Sequence, residues 1–303
     1  MKYSKPALSI DDQIKQLIKR GLTINNIGAA KGYLRDVGYY RLSGYWWPML
    51  ADKNTKTFKT NSTFENVIDI YNFDRELRIL LFDIIEKIEI AFRTKLIYHL
   101  SSEISPWWFE DSQNFNNPVK HNETLTAIDR ELQQTKENFI IQHRLKYHTD
   151  TRRPPAWKTL EIASLGSISK LYGNLKNQIK SKDIIAQEFG TINHTYLPSW
   201  IQSISQIRNI IAHHGRLWNK NLPGRPKLLS KPPNSWCKVV PPVNEHQMLY
   251  VHLCCMKYLL NTLVDNCDMT SRLMSLINKY NNIDAKALGL KLSWENEPLW
   301  KNF

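Results

Sequence analysis

The residues of this chain best suited to chemistry sit together in RNIIAHH, where Arg208, Asn209, His213 and His214 close a helical pattern. Arginine is a fork-shaped phosphate ligand that stays charged at any cellular pH, and histidine titrates near neutrality and can move a proton. The two types together suit phosphodiester chemistry. RNA supplies the rest, because its 2′-hydroxyl is an internal nucleophile and a base, an acid and a cation beside the phosphate suffice without metal or cofactor. In that scheme His213 removes the 2′-hydroxyl proton or protonates the leaving 5′-oxygen. Arg208 stabilises the charge developing on the phosphate, and Asn209 orients the arginine or the phosphate. His214 is the alternative histidine.

Spacing alone is weak support. An arginine followed after four to six residues by a histidine is expected about once in a chain of this composition, and it occurs for Arg208 with His213, Arg208 with His214, and Arg93 with His99. Context separates the first two. Trp200, Ile204, Ile207 and Ile211 form an apolar stripe at helical spacing that would anchor the segment, and Gly215 follows the histidines as a stop signal. The competing reading is a helix end whose macrodipole simply favours positive charge. Arg93 stands four residues after Glu89, an ion-pair spacing that explains it without chemistry, although Arg93 and His99 remain a candidate second copy.

Charge is distributed unevenly around the motif. The formal net charge is +13, and residues 189–244 hold no acidic residue but contain Arg208, Arg216, Lys220, Arg225, Lys227, Lys231 and Lys238. A second basic stretch, residues 144–182, includes Arg152 and Arg153. Such stretches attract a polyanion through counterion release, so Arg216, Lys220, Arg225, Lys227, Arg152, Arg153 and Arg41 are the candidate RNA contacts. A generically basic, soluble protein is the plainer alternative.

The elements that must position these residues read as helices. Ser9 and Asp12 open a short amphipathic helix closed by Gly21, and a second, near 26–37, runs into GYYRLSGYWWP. The rings of Tyr39, Tyr40, Tyr45, Trp46 and Trp47 around Arg41 are able to stack unpaired bases, but such clusters build core more often, and packing is preferred here. KNTKTFKTNST reads as a polar loop or hairpin. From 64 to about 100 runs the longest periodic element, with Val67, Tyr71, Leu77, Leu81, Ile84, Ile88 and Phe92 near one face, either one helix or two. A PWW turn follows, then a polar helix from about 122 to 147, a basic RRPP turn before a short helix, a helix capped by Ser181, and the motif helix with Pro198 in its first turn. Residues 221–243 are too rich in proline for a helix and form a long basic connection. Asn244 is the candidate cap of a helix reaching about 264, and one or two shorter helices complete the chain. No glycine-rich phosphate loop, HExxH motif or repeat is visible.

Several separated stretches resemble the Abi-like abortive infection proteins of bacteria, of the AbiD and AbiF type, within the wider group of HEPN-fold ribonucleases. They are KPALSIDDQIKQLIKRGL, YLRDVGYYRLSGYWWPM, IYNFDRELRILLFDIIEKIEIAFRT and SWIQSISQIRNIIAHHGRLWN. The resemblance implies an HEPN-like helical bundle and a ribonuclease motif at Arg208, Asn209 and His213, with the histidine open to His214 because the group tolerates variable spacing. It also implies defence against phage and a toxin held in check by a small noncoding RNA.

The expected fold is therefore mostly all-α, with additional helices and the proline-rich basic loop. An N-terminal helical and aromatic region spans 1–63 and the motif-bearing region 64–303, unless all 303 residues form one domain. No apolar run is long enough for a membrane span and the N-terminus lacks the apolar core of a signal peptide, so a cytoplasmic location is expected. Cys237, Cys254, Cys255 and Cys267 show no CxxC pair and read as reduced and structural, with no metal site. Arg208 and His213, five residues apart on a helix, diverge by about 140° and ~7.5 Å, which makes one helix a poor active site and points to a homodimer with a composite site. The rival classes are a non-catalytic RNA-binding module and a helical interaction protein of a defence complex.

Overall fold

The spine of the molecule is a 40-residue helix, α4 (Phe64–Glu103), about 60 Å long at 1.5 Å per residue. Thr63 caps it by accepting from the Asn66 N–H at 3.1 Å. No glycine or proline interrupts it, and buried residues recur from Phe64 through Leu100, so it runs unbroken where two helices were an open expectation. The computed structural model describes residues 2, 4, 6–230, 232–280 and 282–301; Lys231 lies outside them.

Before this spine come α1 (Ile10–Lys19), α2 (Ile27–Asp36) and α3 (Tyr39–Trp46). Ser9 and Asn26 cap the first two, and Gly38, at φ 92°, makes the turn into the third. KNTKTFKTNST forms most of a hairpin, β1 (Leu50–Asp52) against β2 (Thr57–Phe58). After α4 follow α5 (Pro118–Gln134), α6 (Asn138–Lys146), α7 (Ala156–Ile162), α8 (Leu165–Asn174), α9 (Lys180–Glu188), α10 (Leu197–Ala212), α11 (Leu249–Asn261) and α12 (Met269–Lys279). The chain is mostly α-helical, as the periodicity requires. Helices α3, α7, α9, α10, α11 and α12 all pack on α4. No described helix is long and apolar enough to cross a membrane.

Three boundaries differ from expectation, each for a tertiary reason. The polar helix of 122–147 is two helices, because Thr135 and Glu137 are extended and Arg144 of α6 folds back to donate to the Leu132 carbonyl at 2.7 Å, satisfying the end of α5. Ser181 does not cap α9; Glu103 reaches from α4 to accept from the N–H groups of Lys180 at 3.0 Å and Ser181 at 2.6 Å. Asn244 falls in a short 3₁₀ turn, and α11 starts at Leu249 without a side-chain cap.

Every residue from Leu249 to Leu260 is buried, His252 and Lys257 included, as befits a helix surrounded by others. The proline-rich connection is irregular but anchored. Trp236 stacks on Trp200 of α10 with ring centroids 5.7 Å apart, and the Trp200 indole donates to the Lys227 carbonyl at 2.6 Å. The motif helix is thus packed between α4, α8, α11 and this connection.

Candidate active site at the end of the motif helix

Trp200, Ile204, Ile207 and Ile211 of α10 are all buried, so the stripe fixes which side of the helix faces out. Arg208 is partly exposed, and Asn209, His213 and His214 are exposed. The helix stops in a Schellman turn. Gly215 donates to the Ile210 carbonyl at 2.7 Å and His214 to that of Ile211 at 2.9 Å. The left-handed residue of this turn is His214, at φ 55°, and not Gly215. Glycine is needed at 215 for space: a Cβ there would stand 2.9 Å from Ile210 Cγ2 and 3.1 Å from its carbonyl oxygen.

The chain leaving the turn is held by a buried polar network. Asp74, fully buried on α4, accepts from the N–H groups of Leu217 at 3.0 Å and Trp218 at 2.7 Å. Its other oxygen accepts from the Tyr45 hydroxyl at 2.8 Å and forms an ion pair with Arg78. Burial pushes the Asp74 carboxyl up, opposed by Arg78 and by these donors. Burial, together with the Asp74 charge, pushes the Tyr45 hydroxyl up as well. Arg41 of α3 adds a clamp from outside, donating to the His214 carbonyl at 2.7 Å. Residues 214–218 are therefore tied to α3 and α4 through the His214 carbonyl and the Leu217 and Trp218 N–H groups, which fixes the histidine turn on the spine.

Arg208 faces α4 too, with its Nε 3.8 Å from Glu89 Oε2. Glu89 is engaged more closely by Arg93, at 2.8 Å. One carboxylate thus lies between two guanidinium groups. Arg93 also donates through its Nη atoms to the carbonyls of Glu161 at 2.8 Å and Ala163 at 3.2 Å. His99 lies 2.9 Å from Glu188. That pair is built into the packing of α4 on α7 and α9, whereas Arg208, held by a single long contact and about a third exposed, keeps donors open to solvent.

The description Abi-like protein matches residues 32–219. The chain belongs to that family. No curated protein and no solved structure matches it. The Abi-like segment begins within α2 and ends just past the histidine turn, so it encloses Arg41, Tyr45, Asp74, Arg78, Glu89, Arg93 and the whole of α10. Abi-like proteins are of the abortive-infection type, and that class is what the match carries, with no activity attached.

The candidate RNA contacts of this Abi-like protein fall into three groups. Arg41 and Arg216 flank the histidine turn, and Lys220 is exposed just beyond it. Arg225 and Lys227 lie on the proline-rich connection, where Arg225 donates to the Gln247 side chain at 2.9 Å. Arg152 and Arg153 are engaged elsewhere: Arg152 pairs with Asp150 at 2.8 Å and covers the Trp107 ring, while Arg153 pairs with Asp129 at 2.6 Å and with Glu110. Two features escaped the sequence reading. Asp74 and Arg78 carried a signal, since charged residues occupy positions of α4 where the apolar period calls for core. The approach of Glu89 to Arg208 had none, because the two residues are far apart in the chain.

Proposed function

We propose that this protein is a metal-independent endoribonuclease of the HEPN type acting in abortive infection. The observation that carries the proposal is the end of α10, where Arg208, Asn209, His213 and His214 all reach solvent together, on a turn fixed by buried charge. One histidine, His213, takes the 2′-hydroxyl proton; the 2′-oxygen attacks the phosphorus and the 5′-oxygen leaves with a proton from a second histidine. Arg208 meets the charge gathering on the non-bridging oxygens. The products are a 2′,3′-cyclic phosphate and a 5′-hydroxyl. Such an activity is toxic to its own cell, and a small noncoding RNA bound to the same basic surface is the proposed restraint.

The second histidine comes from a second copy of the chain. Ile79, Phe82 and Ile90 are exposed and lie within about 80° of one another around α4. Exposed Glu86 lies within that arc, and Glu89, beside Arg208, borders it. Pairing two copies along it brings two α10 ends towards one phosphate and covers surface that is otherwise costly to expose.

Arg208→Ala and His213→Ala should each abolish cleavage and toxicity in a protein that stays folded and still binds RNA. Activity should survive EDTA; full inhibition reversed by added metal would overturn the mechanism. Light scattering should give about twice 35.6 kDa, and Phe82→Glu should yield monomers with little activity. A fully active wild-type monomer would exclude the composite site.

A further inference from the structure

Beside the histidine turn, α1, α3 and the hairpin enclose a cleft of about 810 Å³, within the range of small-molecule sites. Its lining is unusual in composition. Arg20, Lys56 and Arg216 supply three cations, and no carboxylate lines it. Its back wall is closed by packed rings: Trp46 meets Tyr39 edge-on at 4.9 Å and Phe58 at 6.4 Å. Its front rings are different. Tyr40 is 92% exposed and Trp47 45% exposed, and neither packs on another ring among the described residues. The aromatic segment therefore divides into a half that builds core and a half that does not.

The cations are placed to serve a ligand as well as the fold. Arg216 has no hydrogen-bond or ion-pair partner among the described side chains. It lies against Gly44 of α3, where a Cβ would stand in ordinary contact 3.5 Å from its Nε, and both residues line the cleft. Arg20 donates through Nη1 to the Tyr39 hydroxyl at 2.8 Å, which aims the group and leaves its other donors without a partner among the described residues. An unpartnered guanidinium and a second one held at a single nitrogen, next to uncovered flat rings, match one ligand chemistry, a phosphate joined to a nucleobase.

We propose that this cleft binds an unpaired nucleotide of the RNA, its base stacked on Trp47 and Tyr40 and its phosphate held by Arg216 and Arg20. The inference rests on the reading of the protein as an RNA-cleaving enzyme and names the form of RNA it takes. Arg216 stands two residues after His214, and Arg41 of the same α3 holds the His214 carbonyl, so a strand anchored in the cleft leads directly to the histidine turn. A duplex cannot offer a splayed base to these rings, so the site selects single-stranded segments, loops or ends.

The test uses the full-length protein and a single-stranded, 2′-O-methylated oligoribonucleotide of about ten nucleotides, which binds but cannot be cut. Tyr40→Ala, at a position too exposed to affect folding, and Trp47→Ala should each weaken binding by roughly tenfold and leave the salt dependence unchanged, because stacking and not charge is removed. Arg216→Ala should weaken binding and reduce the slope of log affinity against log salt by roughly 0.7, the value for one phosphate on a single strand. Tryptophan fluorescence should be quenched on binding, and less so in Trp47→Ala. If the wild type binds and cleaves RNA while Tyr40→Ala and Trp47→Ala stay within twofold of it, the cleft proposal is overturned and the nuclease reading stands. If the wild type binds no RNA under any salt condition, both are overturned.

Discussion

Asparagine in place of Asp74 isolates the charge that holds the histidine turn on α4. The substitution keeps the shape and one carbonyl oxygen, so the Leu217 and Trp218 N–H groups keep an acceptor, and the Tyr45 hydroxyl can turn to accept from the new amide. What disappears is the partner of Arg78, whose side chain is only 8% exposed. An uncompensated buried charge costs about 3–5 kcal/mol. At about 2–4 °C per kcal/mol for a large domain, the unfolding midpoint should fall by roughly 10 °C. Adding Arg78→Met removes the stranded charge at similar length, so the double variant should be more stable than Asp74→Asn alone, by about 2 kcal/mol. Urea unfolding at neutral pH followed by tryptophan fluorescence measures the wild type, Asp74→Asn, Arg78→Met and the double variant, with Trp218 reporting from the network itself. A loss under about 1 kcal/mol for the single variant, or a double variant destabilised by the sum of the two singles, would refute the reasoning, since either result means that the pair carries no coupled charge.

The histidine turn makes two opposite demands. His214→Gly should stay within about 1 kcal/mol of wild type and keep its cleavage activity, because glycine suits the left-handed position at no steric cost; loss of cleavage would move the base from His213 to His214. Gly215→Ala should cost roughly 1–3 kcal/mol in thermal unfolding through the contact with Ile210, and wild-type stability would mean that the turn repacks. Stability should also fall in acid through His252, which is buried on α11 against Ser203 of the motif helix and is pulled down to about 3 by burial and by His246. Its folded value lies below the unfolded one, so the unfolded chain binds the extra proton; this contribution is complete above about pH 6.5 and declines towards pH 3, by about 2 kcal/mol at pH 5. Urea unfolding of His252→Gln across that window should show a shallower decline than wild type, and parallel curves would exclude the histidine as the cause.

Most of the helical framework was legible because it depends on residues within a few positions of one another. The cap at Ser9, the apolar period of α4 without glycine or proline, and the stripe of Trp200, Ile204, Ile207 and Ile211 are local patterns, and they fix both where helices form and which side of α10 faces outwards. The acid-free interval around the motif was equally plain. Tertiary structure decided what those residues meet. Glu103 displaced Ser181 as the cap of α9, Arg144 closed α5, and His214 took the left-handed place that Gly215 was expected to fill. The same holds for charge. Arg152, Arg153 and Arg208 look alike as basic residues in a basic chain, yet the first two are matched by Asp150, Asp129 and Glu110 while Arg208 meets only the edge of Glu89. Whether a cation is free for a phosphate depends on distances to carboxylates elsewhere in the chain, because an ion pair acts over a few ångströms of space and not over a fixed interval of sequence.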